Sequence, residues 1–179
     1  MPLIILDRDG VINHDSDDFI KSPAEWEPID GSLEAIARLN YAGYRVVVIT
    51  NQSGIARGLL DIDTLTKIHS KMRRMLAQVG GKIEAILYCP HGPDDACDCR
   101  KPLDGSYTEL SQRLRIDLRG VPAIGDSLRD LQAAQAAGAN AILVKTGKGI
   151  KTLESGVPDG VAVYDDLAAA VTALLEETD

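Results

Sequence analysis

The chain has 179 residues, 45% hydrophobic and 26% charged, with 27 acidic against 19 basic side chains and a formal charge of −8. A chain of this length buries roughly 70% of its unfolded surface and needs no disulfide to hold a core. The composition excludes a disordered chain, and the acidic balance argues against nucleic-acid partners and anionic membrane surfaces. No apolar run approaches the roughly 20 residues of a membrane span. The opening Met-Pro-Leu-Ile-Ile-Leu-Asp lacks the basic stretch and the length of a signal peptide. The expectation is one domain over residues 1–179, cytoplasmic and monomeric, with its three cysteines unpaired in a reducing compartment.

In chain order, short apolar runs at 3–6, 45–49, 85–88, 122–124, 141–144 and 161–163 read as strands buried on both faces. Between them lie helical patterns. Leu33, Ile36, Ala37 and Asn40 share a face that stops at Gly43. Leu65, Ile68, Met72, Met75, Leu76 and Val79 form a longer stripe closed by Gly80 and Gly81. Ser106 with Glu109, and Ser127 with Asp130, have the spacing of capping boxes. A last helix is expected near 166–176, His69 on a helix surface, and Trp26 and Tyr41 at the core edge. Strand–helix alternation predicts an α/β fold, a Rossmann-like doubly wound parallel sheet.

Polar residues end three strands: Asp7 after Leu-Ile-Ile-Leu, Thr50 after Val-Val-Val-Ile, and Asp126 after Ala-Ile-Gly. A parallel sheet gathers its carboxyl ends along one edge, where ligands bind. Asp9 stands two residues beyond Asp7, on the same side of an extended backbone. Two neighbouring carboxylates can divide labour, one attacking and one moving protons. Asp7, Asp9 and Asp126 are hard oxygen donors suited to Mg²⁺. Thr50, the backbone of Asn51 and Gln52, and Lys101 can surround a phosphoryl group in flight.

These segments, Asp7-Arg8-Asp9-Gly10-Val11-Ile12, Val48-Ile49-Thr50-Asn51, Lys101 and Gly125-Asp126-Ser127-Leu128-Arg129-Asp130, resemble the four motifs of the haloacid-dehalogenase-like (HAD) phosphatases, in order and over most of the chain. The resemblance implies Asp7 as the phosphorylated nucleophile and Asp9 as general acid and then base. Thr50 would hold the phosphoryl group and Lys101 the aspartyl-phosphate. Asp7, Asp126 and the backbone carbonyl of Asp9 would hold Mg²⁺. Asp130 supports these ligands or caps the helix with Ser127.

All three cysteines and one of three histidines fall within Cys89-Pro-His91 and Cys97-Asp-Cys99. Four such ligands in a short loop match a closed, structural Zn²⁺ site, which would fix the direction of the adjoining Arg100 and Lys101. This loop, with residues 50–58 and 126–134, narrows the resemblance to the D-glycero-D-manno-heptose-1,7-bisphosphate 7-phosphatases, with the histidinol-phosphatase module as the alternative relative. The likeness implies Mg²⁺-dependent hydrolysis of the C7 phosphate of a small phosphorylated sugar. It places Asp15, Ser16, Asp17, Asp18, Thr50, Asn51, Gln52, Ser53, Arg100 and Lys101 on the substrate. Arg57 either contacts a distal phosphate or sits at a helix start. No large cap domain is expected, because the connection after Asn51 is short and the one after Tyr88 is the metal loop. That openness favours water over a second phosphate acceptor, hence a phosphatase over a phosphomutase. The intact acidic set favours an enzyme over a binding scaffold.

Overall fold

The computed structural model describes residues 1–178. Six strands, β1 (Leu3–Leu6), β2 (Arg45–Asn51), β3 (Ala85–Cys89), β4 (Pro122–Gly125), β5 (Asn140–Val144) and β6 (Ala162–Tyr164), form one sheet in the order β3-β2-β1-β4-β5-β6. Every pairing is parallel. The chain runs outward from β1 to β3, returns to the middle at β4, and runs outward the other way. The switch point therefore lies between β1 and β4, and a crevice opens beyond their carboxyl ends.

The middles of the central strands are apolar because both faces are covered, whereas the edge strands β3 and β6 are only partly buried. Ile4 and Leu6 of β1 point into a core shared with helices α1 (Ser32–Tyr41), α2 (Ile62–Gln78) and α6 (Leu167–Glu176). Leu3 and Ile5 point to the opposite core, shared with α3 (Gly105–Leu114) and α4 (Leu128–Ala136). Alternation along one strand thus feeds two layers. A short helix, α5 (Gly149–Glu154), follows β5 and was not foreseen from sequence.

Several local expectations are corrected. On α1 the buried face carries Ser32, Leu33, Ala35, Ile36 and Leu39, so Ala37 and Asn40 lie to its side. Val79 caps the end of α2 and is exposed. Tyr41 is 97% exposed and touches no core, whereas Trp26 is wholly buried within it. Ser106 makes no capping box: its hydroxyl donates to the Cys99 carbonyl at 3.1 Å, and Asp104 stands at the N-cap of α3. Ser127 and Asp130 do form the box expected of them, and Asp166 caps α6 by accepting from the Ala169 N–H at 2.8 Å.

His69 is also corrected. It occupies the buried side of α2 beside Leu65, Ile68, Met72 and Leu76. The stripe of apolar residues is wide enough to include it, because positions 65, 68, 69, 72 and 76 follow one helical face. Its Nε2 accepts from the Arg8 guanidinium at 3.1 Å, since arginine can only donate.

Candidate active site

The first β–α connection turns sharply after β1. Gly10 has φ of 86°, and a Cβ there would lie 2.0 Å from the Asp126 carboxylate. A bare backbone is therefore required for the two loops to meet. This brings Asp7, Asp126 and Asp130 together, with one oxygen of each within 4.8 Å of the others. Lys101 Nζ enters from the metal loop and lies 3.2 Å from Asp7 Oδ1 and 2.9 Å from Asp130 Oδ1. The Lys101 peptide is held on both sides by the Asn51 amide, at 3.0 and 3.1 Å. Asn51 thus anchors the lysine.

The electrostatics explain why this cluster wants a cation. Burial, then the charges of Asp130 and Asp9, push the Asp7 carboxyl up to about 7 against the pull of Lys101. Burial and the charges of Asp130 and Asp7 push Asp126 up to about 9. One lysine is insufficient for three crowded carboxylates. Hard oxygen donors with excess negative charge fit Mg²⁺.

Asp130 fills both expected roles. Its Oδ2 accepts from the Ser127 N–H and hydroxyl, each at 3.0 Å, and from the Asp126 N–H at 3.1 Å. Its Oδ1 takes the lysine. Burial would raise its pKa, but Lys101 and Ser127 outweigh that and hold it low.

The Asp9 side chain lies apart from the acidic triad. Its Oδ1 accepts from Arg8 Nε and Asn13 Nδ2, each at 2.9 Å, and its Oδ2 from Gln52 Nε2 at 3.1 Å. Burial alone would raise this carboxyl; Arg8, Asn13 and Gln52 together hold it below the usual range. Gln52 also bonds Thr50 Oγ1 at 3.1 Å.

Thr50, Asn51, Gln52, Ser53, Asp15 and Arg100 line the same crevice, with Asp7, Asp9 and Asp126 at its base. Asp18 does not line it; Asp17 does. The Asp18 N–H is tied to Ser16 Oγ and its carbonyl accepts from Lys21 Nζ at 2.8 Å, so this end of the loop turns outward. Arg57 stands at no helix start: α2 begins at Ile62, and the Arg57 guanidinium lies over the Phe19 ring, 5.4 Å from its centroid.

Beside the crevice, the potential ligand atoms of Cys89, His91, Cys97 and Cys99 also lie within 4.8 Å of one another. His91 Nδ1 faces Cys89 Sγ at 3.5 Å and Cys99 Sγ at 3.4 Å. Three thiols and an imidazole gathered around one point can hold Zn²⁺. The loop is otherwise polar, and its ties to α3 are few: the Gly105 N–H donates to the Asp98 carbonyl at 2.9 Å and Ser106 to Cys99.

The family model described as polynucleotide kinase 3 phosphatase matches residues 3–128, and the HAD-hydrolase-like model matches residues 98–170. A protein of Bordetella bronchiseptica named D-glycero-beta-D-manno-heptose-1,7-bisphosphate 7-phosphatase is 61% identical over 178 residues, covering 99% of both chains. One of the same name from Pseudomonas aeruginosa is 53% identical over 174 residues, covering 97% of this chain and 98% of its own. The chain belongs to the D-glycero-β-D-manno-heptose-1,7-bisphosphate 7-phosphatase family. The crystal structure of the B. bronchiseptica D,D-heptose 1,7-bisphosphate phosphatase, complexed with magnesium and phosphate, superposes with a TM-score of 0.97 at 61% identity and covers 99% of both chains.

Sequence reasoning missed part of this heptose bisphosphate phosphatase family crevice. Phe19, Ile20, Arg129 and Lys148 also line it. Lys148 was findable in principle. β5 neighbours β4, so its following loop, Lys145-Thr-Gly-Lys-Gly, must reach the same edge. There the Lys148 N–H donates to Asp126 Oδ2 at 2.9 Å, and Thr146 Oγ1 to the Gly10 carbonyl at 2.6 Å.

The buried His69 carries a stability prediction. Burial, then the charges of Arg8 and Arg73, push it down to about 3 against the pull of Asp9. Between pH 6.5 and 3 the unfolded chain binds a proton here that the folded chain refuses, so this contribution falls as pH falls. The slope approaches 1.4 kcal/mol per pH unit for one proton. Urea unfolding of the wild type and His69→Gln should show the wild type losing about 2 kcal/mol relative to the variant between pH 7 and 5. A gap that does not change with pH would mean that the folded imidazole protonates normally.

Proposed function

We propose that this protein hydrolyses the C7 phosphate of D-glycero-β-D-manno-heptose 1,7-bisphosphate to the 1-phosphate, as a monomer in the cytoplasm and as one domain over residues 1–179. The observation carrying this reading is the approach of Lys101 to Asp7 at 3.2 Å, beside a separately held Asp9, in a chain 61% identical to an enzyme of that name. The β configuration follows the names of the relatives.

In this reading Asp7 attacks phosphorus in line with the C7–O bond. Asp9, a carboxylate before substrate binds, takes up a proton as the doubly charged phosphate enters beside it and passes that proton to the departing alkoxide, which leaves as a primary alcohol. Lys101, Thr50 and backbone N–H groups of 51–53 bind the three equatorial oxygens. Asp9, now a carboxylate, takes a proton from water as that water attacks the aspartyl-phosphate. Phosphate leaves and Asp7 is restored. The carboxylates of Asp7 and Asp126 and the carbonyl of Asp9 would hold Mg²⁺, with Asp130 beside them; when bound, the ion neutralises charge on the phosphate. The cysteine and histidine loop would hold Zn²⁺ and aim Arg100 at the distal C1 phosphate.

Among the described residues none forms a lid over the crevice, and selectivity comes from its rim, where Arg100 and Arg129 supply positive charge. The formal charge of −8, and Asp15 and Asp17 at that rim, fit a small sugar phosphate better than a nucleic-acid end. Phosphorus NMR of the product should show the 1-phosphate. Heptose bisphosphate should exceed histidinol phosphate in kcat/KM, and Arg100→Ala should narrow that margin by lowering the bisphosphate value most. Recovery of the heptose 7-phosphate as product, or preference for histidinol phosphate, would overturn the assignment.

A further inference from the structure

Arg8 lies between the two aspartates of the first motif, and its guanidinium is wholly buried. Nε is 2.9 Å and Nη2 2.8 Å from Asp9 Oδ1. Nη1 is 3.1 Å from His69 Nε2. Asp9 adjoins Arg8 in the chain and moves with it, so it cannot by itself fix the guanidinium. Among the described residues, His69 is the side chain from another element that bonds this group. It stands on α2, a helix of 17 residues packed into the core.

Asp9 Oδ1 is thereby covered by Arg8 and Asn13. Oδ2 accepts only from Gln52, the one partner that comes from the crevice side. Swinging the Asp9 side chain to another rotamer would break the Arg8 and Asn13 contacts. The oxygen left to carry a proton toward a substrate is Oδ2.

We infer that His69 is a positioning residue for the acid–base group: through Arg8 it fixes the rotamer of Asp9 so that Oδ2 faces the leaving oxygen. This rests on Asp9 acting as the acid. His69 touches neither substrate nor reacting atoms. It must be neutral to accept from Arg8, with its proton on Nδ1. Burial among Leu65, Ile68 and Met72, and the facing Arg8, keep it so.

A misplaced acid matters only where the leaving group needs a proton. A primary alkoxide needs one, whereas p-nitrophenolate leaves without it. His69→Leu removes the acceptor and keeps the bulk. It should lower kcat/KM for a primary alkyl phosphate about tenfold more than for p-nitrophenyl phosphate. His69→Gln, which keeps an acceptor, should return the alkyl-ester value to within about threefold of wild type. His69→Met carries the same expectation as His69→Leu if the latter does not fold. Equal losses on the two esters, or no loss on either, would overturn the inference. Asp9→Asn, measured alongside, should discriminate between the esters more strongly still. If it does not, the assignment of Asp9 as the acid fails, and that outcome is distinct from a failure at His69 alone.

Discussion

Asp7→Asn should lower kcat by several powers of ten, the scale seen when a covalent nucleophile is removed. The exchange keeps shape and removes the attacking charge. It also relieves crowding: one carboxylate fewer remains beside Asp126 and Asp130, so the variant should fold at least as well as the parent. Folding and activity therefore move in opposite directions, which separates lost chemistry from lost structure. Rapid quenching with a radiolabelled phosphate ester should trap acid-stable, base-labile label on the wild type and none on the variant. Near-normal turnover in Asp7→Asn would refute a covalent route.

The second large effect concerns the loop. Metal analysis of the parent should find about one zinc ion per chain, and Cys99→Ser, which removes one of four ligands, should release it. Arg100 and Lys101 follow directly, and Lys101 must stay near Asp7 to act on it. Displacement by about 1 Å can cost about 10²-fold in rate. The Asn51 contacts restrain the Lys101 peptide from the β2 side, so the loss should fall more on the bisphosphate, through Arg100, than on a simple ester. A zinc-free variant with the parent's kcat/KM on both would mean that the loop holds its shape by polypeptide alone.

How much was legible in the sequence depends on whether the cause was local. The strands were readable as short apolar runs, and in the central ones, buried on both faces, a polar residue at the strand end is conspicuous. Asp7, Thr50 and Asp126 therefore announced the crevice. The metal loop was legible because its ligands are close in sequence. His69 was not: on α2 it reads as one polar residue beside an apolar stripe, and its partner Arg8 is 61 residues away. Lys148 was hidden for a similar reason, since its value lies in the strand order and not in its neighbours. Tyr41 misled because aromatic residues are usually partly covered, and nothing near it in the sequence marks the outer side of α1. The outward turn of Asp18 depends on hydrogen bonds inside a loop with no period to read.

Gly10 and Gly147 meet across Asp126. A Cβ on Gly147 would lie 2.3 Å from the Asp126 carboxylate and 2.6 Å from the Gly10 Cα, and one on Gly10 would strike the same carboxylate. Both glycines have positive φ. The ground beneath the Asp126 carboxylate is consequently bare main chain, and neither glycine can gain a side chain without displacing that carboxylate. Phe19, Arg100, Arg129 and Lys148, by contrast, line the crevice from loops or from the start of a helix. A lineage that drifted to another phosphate ester would have to do so by exchanging residues around the opening while inheriting the bottom unchanged. An engineer seeking new substrates should randomise those same positions and leave the two glycines alone.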